Sequence, residues 1–233
     1  MAGITDAEFL NSVISEGFDA VTLGGYSLDV PTIEASKKII ERGRKEFYYP
    51  PDEIFTHIEN EVASIKKQHP DVLVSANVRA TTPFPLFKAG NIKNLDILEI
   101  NCHCRQDEIT AIGCGQQMLK RPDLFDFIST VARNTRSKIS VKIRANVEGV
   151  NTLKTSKLIQ KAGADFIHVD AMKPSCAEAD WELLGRMVEE LEIPVIGNNS
   201  VNSSQNLDKM LSTGVDSFSV GRAVIGGKLD FQI

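Results

Sequence analysis

The ten residues Lys161-Ala162-Gly163-Ala164-Asp165-Phe166-Ile167-His168-Val169-Asp170 join the end of a predicted helix to a predicted strand. Gly163 suits the left-handed conformation that ends many helices. The apolar run Phe166–Val169, which includes β-branched residues, is typical of a buried strand. The same order recurs at Ser212-Thr213-Gly214-Val215-Asp216, just before Ser217. A repeated unit of helix, glycine and strand indicates a parallel α/β architecture.

Short apolar runs alternate with amphipathic segments along the whole chain. The predicted strands are Ala20–Leu23, Val72–Val78, Ile97–Asn101, Ile139–Ile143, Phe166–Val169, Pro194–Gly197 and Ser217–Gly221. The predicted helices are Thr32–Arg44, Pro51–Gln68, Pro122–Asn134, Thr152–Ala162, Glu178–Glu190 and Ser203–Ser212. Pro51 and Pro122 suit a first helical turn, and Asn151 and Asn202 suit helix N-caps.

This alternation predicts either a doubly wound sheet or a closed barrel, and we predict a (β/α)8 TIM barrel in which residues 1–233 form a single domain. Seven strands are clear, so an eighth has to come from Met1–Ile4 and would be a very short first strand. Only Lys228–Ile233 follow Gly226-Gly227, which predicts a truncated last helix.

Composition narrows the class of protein. The chain has 233 residues, of which 42% are hydrophobic and 24% charged, an ordinary globular balance. Its net charge of −5 does not favour binding to a polyanion. We find neither a signal-peptide pattern nor an apolar run near the ~18 residues of a membrane span. These features predict a cytoplasmic protein with reduced cysteines and no membrane partner, and they carry no signal for an oligomeric state.

Polar residues follow the predicted strands. Sites in α/β barrels lie at the carboxyl ends of the strands. The polar groups at these ends are Gly24-Gly25-Tyr26, Asn77-Val78-Arg79, Asn101 to Arg105, Lys142 with Arg144, His168 with Asp170, Gly197 to Ser200, and Gly221-Arg222. We expect them to share one rim and to form a ligand site there.

Lys142 and Arg144 are two residues apart, so on a strand they face the same way. An inward Lys142 either pairs with Glu99 or Asp170, or holds an anion. We favour the anion, since a cation beneath a flavin pyrimidine ring stabilises negative charge there. The loops after the last two strands contain glycine, which suits backbone contact with phosphate. A phosphate-bearing cofactor is therefore expected, and Lys142 would suit a flavin such as FMN.

The cysteines offer a second chemistry. Cys102-His103-Cys104 lacks the spacing of common zinc sites, so we predict no metal. Cys104 lies further into the loop than Cys102 and is the better proton donor or nucleophile. Cys114 and Cys176 are interpreted as structural or incidental. His57 and His69 are expected to be solvated.

Several of these stretches resemble the tRNA-dihydrouridine synthases. Met1-Ala2-Gly3-Ile4-Thr5-Asp6 is similar to their Met-Ala-Gly-Val-Thr-Asp opening, and Leu98 to Arg105 resembles their Asp-Ile-Asn-x-Gly-Cys-Pro motif. Further similar segments, in the family's order, are Ile112 to Gly115, Val141 to Arg144, Ala162 to Asp165, Pro194 to Asn198, and Gly214 to Arg222. The resemblance covers essentially the whole chain, and its Gly-Asn and Gly-Arg ends also occur in FMN barrels such as dihydroorotate dehydrogenase.

The resemblance implies an FMN oxidoreductase that reduces a uridine in tRNA, with NADPH or NADH as electron donor. It implies that Asn101 faces the uracil base, that Cys104 protonates C5 after hydride reaches C6, and that Lys142 contacts the flavin. The residues that it places around the cofactor are Ala2, Gly3, Asn77, Lys142, His168, Asn198, Gly221 and Arg222.

The chain also departs from the family pattern. His103 and Arg105 replace the Gly and Pro that flank the family's cysteine, and Asn198-Asn199-Ser200 departs from its Gly-Asn-Gly-Asp stretch. Asp170 stands where the family has a histidine, and an acid there would repel phosphate. The family's C-terminal helical domain has no counterpart in these residues, which favours a compact, archaeal-type relative.

Three other functions stay open at this point. The substrate of an FMN enzyme could be a small pyrimidine or pterin rather than tRNA. A barrel without redox chemistry could bind a phosphorylated metabolite or serve as a partner subunit. A lyase or isomerase could use Lys142 as a Schiff-base amine.

Overall fold

The computed structural model describes residues 2–233, so Met1 lies outside the description that follows. Within these residues seven parallel strands form one sheet, and each strand pairs with the next along the chain. The strands are β1 (Ala20–Ser27), β2 (Leu73–Arg79), β3 (Ile97–Cys102), β4 (Lys138–Arg144), β5 (Phe166–Asp170), β6 (Val195–Asn198) and β7 (Ser217–Ser219). All seven predicted strands are confirmed.

One helix precedes β1, and the others connect the strands and cover the outer face of the sheet. They are α1 (Ala7–Val13), α2 (Val30–Glu41), α3 (Ile54–Gln68), α4 (Phe84–Gly90), α5 (Asp107–Thr110), α6 (Leu124–Asn134), α7 (Thr152–Lys161), α8 (Trp181–Glu190) and α9 (Ser204–Ser212). The six predicted helices correspond to α2, α3 and α6 to α9. Helices α1, α4 and α5 are seven residues or shorter, too short for the amphipathic pattern to reveal.

The helix ends agree only partly with the sequence prediction. Asn151 caps α7 by accepting the backbone N–H of Lys154, as predicted. The predicted cap at Asn202 is wrong, because Ser203 accepts the backbone N–H of Asn206 and so begins α9. Pro51 and Pro122 lie in the turns that precede α3 and α6 rather than in a first helical turn.

Glycines end two of the helices as expected. Gly163 after α7 has φ of +98° and Gly214 after α9 has φ of +81°, both in the left-handed region. Each reverses the chain so that β5 or β7 begins within a few residues.

The sheet is curled, which brings distant strands together on its concave face. His168 on β5 contacts Glu99 on β3 and Ser219 on β7. The sequential order β1 to β7 is that found in barrels, and residues 2–233 supply seven of the eight strands predicted. Among these residues no pairing joins β7 to β1, so the sheet is curled but the predicted closed barrel is not confirmed.

The predicted short first strand is wrong for residues 2–4. These residues form a turn, in which Gly3 has φ of +69° and Asp6 donates its N–H to the carbonyl of Ile4. Thr5 then makes a single antiparallel bridge to Gly24 at the edge of β1. The predicted Met1 end of that strand lies outside the described residues.

The chain after β7 returns to the region just before the start of β1. A three-residue 3₁₀ helix, Arg222–Val224, occupies the place of the truncated last helix. Leu229 is buried and donates its backbone N–H to the Glu16 carboxylate at 2.9 Å. This contact joins the last segment to the short 3₁₀ turn that follows α1.

Apolar side chains between the sheet and the helices form one large core cluster. A smaller cluster of Ala35, Ile39, Ile109 and Cys114 lies beneath the loop after β3, with Cys104 packed against it. No helix between residues 2 and 233 has both the length and the apolar character that a membrane crossing requires.

Candidate active site

Glu99 on β3 is a buried carboxylate on the concave face of the sheet, only 2% exposed. Its Oε1 accepts the Asn77 amide at 2.8 Å, and its Oε2 lies 2.6 Å from His168 Nδ1 and 3.3 Å from the Ser140 hydroxyl. Burial opposes its ionisation, but His168 and the charge of Lys142 outweigh burial and hold the pKa well below its usual range. Glu99 is therefore ionised.

His168 joins Glu99 to the strands on the other side. Burial and the positive charge of Lys142 outweigh the attraction of Glu99 and lower the pKa of His168 below its ordinary value. A neutral imidazole donates Nδ1–H to Glu99 and accepts the Ser219 hydroxyl at Nε2, over 2.7 Å. Asn198 then donates its amide to the Ser219 hydroxyl at 2.8 Å.

Hydrogen bonds also run from Glu99 toward the loop after β3. Asn101 donates its amide N–H to the side-chain oxygen of Asn77 at 2.8 Å. Its own side-chain oxygen accepts the backbone N–H groups of His103 and Cys104 at 3.2 and 3.0 Å. We call the connected side chains the Glu99 network; its members are Asn77, Glu99, Asn101, His168, Asn198 and Ser219.

Cys104 lies in the loop that this network holds. It is partly exposed, whereas Cys102 is fully buried, and burial raises the pKa of the Cys102 thiol far above its ordinary value. Gln116 donates its backbone N–H to the Cys104 carbonyl at 2.8 Å. A Cβ on Gly115 would lie 2.2 Å from that carbonyl oxygen, so the close approach requires glycine.

Arg79 at the end of β2 is buried beside this loop. Its Nη2 donates to Glu46 at 2.6 Å and to the Gly25 carbonyl at 2.8 Å, while its Nε has no partner among the described residues. Burial disfavours its charge, but Glu46 and Cys104 raise its pKa above the ordinary value. Sequence reasoning did not single out Glu46, whose segment has no regular structure.

The N-terminal residues Ala2 and Gly3 reach the same region. Both are partly exposed. A Cβ on Gly3 would lie 2.6 Å from the backbone nitrogen of Glu46, so this turn packs directly on the segment that holds Arg79.

Lys142 and Arg144 share the concave face of β4, as predicted, but only Arg144 finds an acidic partner. Arg144 Nη2 lies 2.9 Å from Asp170 Oδ2, and Asn199 donates to the other oxygen of Asp170 at 2.8 Å. Lys142 forms no ion pair or hydrogen bond with any residue from 2 to 233, although it acts electrostatically on Glu99, His168 and His103. Burial and these cations also lower the pKa of His103 far below its usual value.

The carboxyl ends of β4, β6 and β7 are open on the concave face. Val141, Ile143 and Val195 are buried against helices, whereas Lys142 and Asn198, on the opposite face of their strands, are partly exposed. In a filled barrel interior these inward residues would be buried, so a solvent-accessible space lies on the concave side of these strand ends.

The loops after β6 and β7 border this space. Asn199 and Ser200 have φ of +96° and +61°, a conformation that is uncommon outside glycine and often marks functional sites. A Cβ on Gly221 would meet no atom within 4 Å, and Arg222 beside it is exposed. Gly197 has a packing role instead, since a Cβ there would lie 2.3 Å from the Met210 sulfur on α9.

Two further sequence expectations concern histidine and metal. His57 is not solvated: it is partly buried, its ring stacks on Tyr49 with centroids 3.9 Å apart, and burial lowers its pKa. Over the described part of the chain, no group of three or more His, Cys, Asp or Glu side chains is arranged to hold a metal ion.

The fold and the strand ends define a class: a parallel α/β protein of barrel-like topology with a cluster of polar residues at the carboxyl ends of its strands. The solved structure of 2,3-dimethylmalate lyase, a member of the PEP mutase/isocitrate lyase superfamily, has a similar fold, with a TM-score of 0.62 and 12% identity over 96% of this chain and 75% of that chain.

Sequence comparison gives the family. The dihydrouridine synthase (Dus) model matches residues 88–227, and the chain belongs to this family. The match includes Asn101, Cys104, Lys142 and the loops after β6 and β7, while Ala2, Gly3 and Asn77 precede it.

Individual relatives add detail. An uncharacterized protein of Methanocaldococcus jannaschii is 36% identical over 234 residues, 99% of this chain and 89% of that protein. tRNA-dihydrouridine synthase B of Pasteurella multocida is 23% identical and tRNA-dihydrouridine(16) synthase of Escherichia coli O157:H7 is 25% identical, over 68% and 75% of this chain. The matched regions are 51% and 59% of those two enzymes, so the chain spans little more than half their length.

Proposed function

We propose that this protein is an FMN-dependent oxidoreductase that reduces the C5–C6 double bond of a uracil ring, with a uridine in tRNA as its substrate. Family membership supports the flavin and the reaction class. The structural observation that carries the proposal is Lys142, a cation inside the rim that forms no ion pair with the described residues and borders a solvent-accessible space.

The residues at the rim fit FMN. Lys142 would lie against the pyrimidine edge of the flavin, where a cation stabilises negative charge. Arg222, the open backbone at Gly221 and the loop at Asn199 would hold the phosphate, with Asn198 beside them. The expected repulsion by Asp170 is offset, since Arg144 and Asn199 already contact its two oxygens.

The chain's own residues would supply binding, orientation and a proton. When bound, FMN supplies the hydride that reaches C6 of the ring, and NADPH or NADH is the proposed source of electrons. Cys104 Sγ would donate a proton to C5. Asn101 uses one amide N–H and its oxygen within the protein, so its second N–H is the group that would face the base. Ala2, Gly3 and Asn77 would border the isoalloxazine.

Flavin binding is the first test. Protein loaded with FMN should be yellow, and Lys142→Met should weaken FMN affinity by about tenfold or more, the loss expected for one charged contact. Lys138→Met is the matched control, because Lys138 lies on the same strand but is 68% exposed and pairs with Asp165. Protein that takes up no FMN would contradict the proposal and favour a barrel that binds another phosphorylated ligand.

The substrate is tested with loaded enzyme, NADPH and unmodified tRNA, with dihydrouridine measured by mass spectrometry of the digested RNA. Cys104→Ser should keep FMN binding and lose most dihydrouridine formation, whereas Cys176→Ser, at an exposed cysteine, should behave as wild type. Uridine monophosphate, orotate and a pterin are tested in parallel. Turnover of one of these with none on tRNA would favour the small-metabolite alternative.

A further inference from the structure

The hydrogen bonds of the Glu99 network all point in one direction. An ionised carboxylate only accepts hydrogen bonds, so Asn77 must turn its amide N–H toward Glu99 and its oxygen away. That oxygen can then accept only a donor, which fixes Asn101 with its N–H toward Asn77. The Asn101 oxygen is left facing the backbone N–H groups of His103 and Cys104.

The same logic holds on the other side of the carboxylate. His168 presents Nδ1–H to Glu99, which leaves Nε2 to accept the Ser219 hydroxyl. The Ser219 oxygen accepts the Asn198 amide. Glu99 is thus the final acceptor of a series of hydrogen bonds that crosses strands β2, β3, β5, β6 and β7.

We propose that Glu99 is a positioning residue that fixes the backbone of Cys104 through the amide orientations of Asn77 and Asn101. Glu99 is buried within the sheet and acts on Cys104 through two intervening side chains. The proposal rests on the proposed function only in giving Cys104 a catalytic role; the positioning itself requires neither flavin nor substrate.

The substitution Glu99→Gln tests the direction of these hydrogen bonds with almost no change in the shape of the side chain. A glutamine has one accepting oxygen and one donating nitrogen, so it cannot accept from both Asn77 and His168. If its N–H₂ faces His168, the imidazole must accept at Nδ1 and carry its proton on Nε2, and Asn77 keeps its orientation. If its N–H₂ faces Asn77, the Asn77 amide must rotate, and its N–H₂ then opposes that of Asn101. Rotation of Asn101 removes the acceptor from the Cys104 backbone N–H.

A second substitution should restore the wild-type direction of the hydrogen bonds between residue 99 and Cys104. In the Glu99→Gln, Asn77→Asp double variant the carboxylate moves from position 99 to position 77. The introduced glutamine can accept from His168 with its oxygen and donate to the introduced aspartate with its nitrogen. The second oxygen of that aspartate can accept from Asn101, so the orientation of Asn101 toward Cys104 is the same as in the wild type.

The readout is the rate at which iodoacetamide alkylates Cys104, followed by mass spectrometry of the Cys104 peptide on protein whose fold is checked by circular dichroism. Glu99→Gln should raise this rate by about tenfold, the factor that corresponds to one lost hydrogen bond to the loop. The double variant should return the rate to within about twofold of wild type, and Ser140→Ala, which removes a donor to Glu99 without turning any amide, should leave it unchanged.

Nitrogen-15 NMR of His168 gives an independent measurement. The wild type and the double variant should both show a neutral ring protonated at Nδ1. A folded Glu99→Gln protein with the wild-type alkylation rate and a His168 ring still protonated at Nδ1 would overturn the proposal, as would a double variant that keeps the altered rate. A wild-type rate with the ring proton on Nε2 would support the proposal, because the introduced glutamine then still accepts from Asn77. Should Glu99→Gln not fold, a double variant that folds and reacts like wild type would support the proposal, and one that does not would overturn it.

These outcomes are separate from the proposed function. A protein that binds no FMN but shows the expected alkylation pattern would disprove the flavin chemistry and retain the positioning role. A flavoprotein in which Glu99→Gln leaves Cys104 unaffected, with His168 still protonated at Nδ1, would disprove the positioning role and retain the flavin chemistry.

Discussion

At the scale of single residues, the least expected feature is the buried ion pair between Arg79 and Glu46. The two residues are 33 positions apart, and their side chains are 1% and 6% exposed. Arg79 ends β2, where a polar residue was predicted, but Glu46 comes from an irregular segment. This pair ties that segment to the rim beside Cys104.

Removing one partner of this ion pair should lower the free energy of unfolding. Glu46→Ala would leave the Arg79 charge buried without its carboxylate, and breaking a buried pair in this way typically costs about 3–5 kcal/mol of folding free energy. Urea unfolding followed by circular dichroism measures the loss. Arg42→Ala is the control, because the Arg42–Glu108 pair lies on the surface and its loss should change stability little. Equal effects of the two substitutions would show that the Arg79 pair is not buried in solution.

At the scale of elements, the loop after β3 is shaped by two glycines of similar conformation and different surroundings. Gly113 has φ of +76° and open space where a Cβ would lie. Gly115 has φ of +58° and would place a Cβ 2.2 Å from the Cys104 carbonyl oxygen. Position 113 requires glycine only for its backbone conformation. Position 115 requires glycine for its conformation and for its close approach to the Cys104 carbonyl.

This difference predicts unequal effects of alanine. Gly113→Ala should cost about 1–2 kcal/mol, the penalty for a left-handed residue with a Cβ. Gly115→Ala should add about 1–3 kcal/mol for the clash and displace the backbone at Cys104. Urea unfolding compares the stabilities, and Cys104 alkylation reports the displacement. Indistinguishable variants would mean that the loop relaxes freely around residue 115.

At the scale of the whole molecule, three histidines are held in environments that disfavour their charged form. Burial is the first cause at His57, His103 and His168, and it lowers the pKa of each below 6.5. All three lie in contacts that join separate elements: α3 to the segment before it, the β3 loop to β4, and β5 to β3 and β7.

The fold should therefore lose stability as the pH falls. Because these pKa values are lower in the folded state, the unfolded chain binds protons first, and the stabilisation present above pH 6.5 declines as the pH drops below it. Protonation of the ionised Glu99 adds to the loss below its ordinary value of 4.5. Unfolding free energies measured between pH ~7.5 and ~5 should fall steadily.

The substitution His168→Asn isolates the contribution of His168 to this pH dependence of stability. The amide can still donate to Glu99 but does not titrate, so the decline below pH 6.5 should be shallower than in the wild type. A wild-type stability that is constant or rises on acidification would contradict the assignment of neutral histidines.

The sequence by itself determined the local features of this protein. The seven strands, the left-handed Gly163 and Gly214 and the common face of Lys142 and Arg144 all follow from interactions between near neighbours, which a periodic pattern or a single glycine records. The rim of polar strand ends follows from the same alternation, because parallel strands bring their carboxyl ends to one edge.

Only the tertiary structure decided which polar groups pair. The curl of the sheet brings Glu99 to His168, 69 residues away, and the register of β4 against β5 gives Asp170 to Arg144 rather than to Lys142. Residues 2–4 form a turn instead of a strand, and in this turn Gly3 lies close to the backbone of Glu46. Such partners are fixed by register and curvature between distant segments, which no local pattern encodes, and among the described residues they leave Lys142 unpaired within the rim.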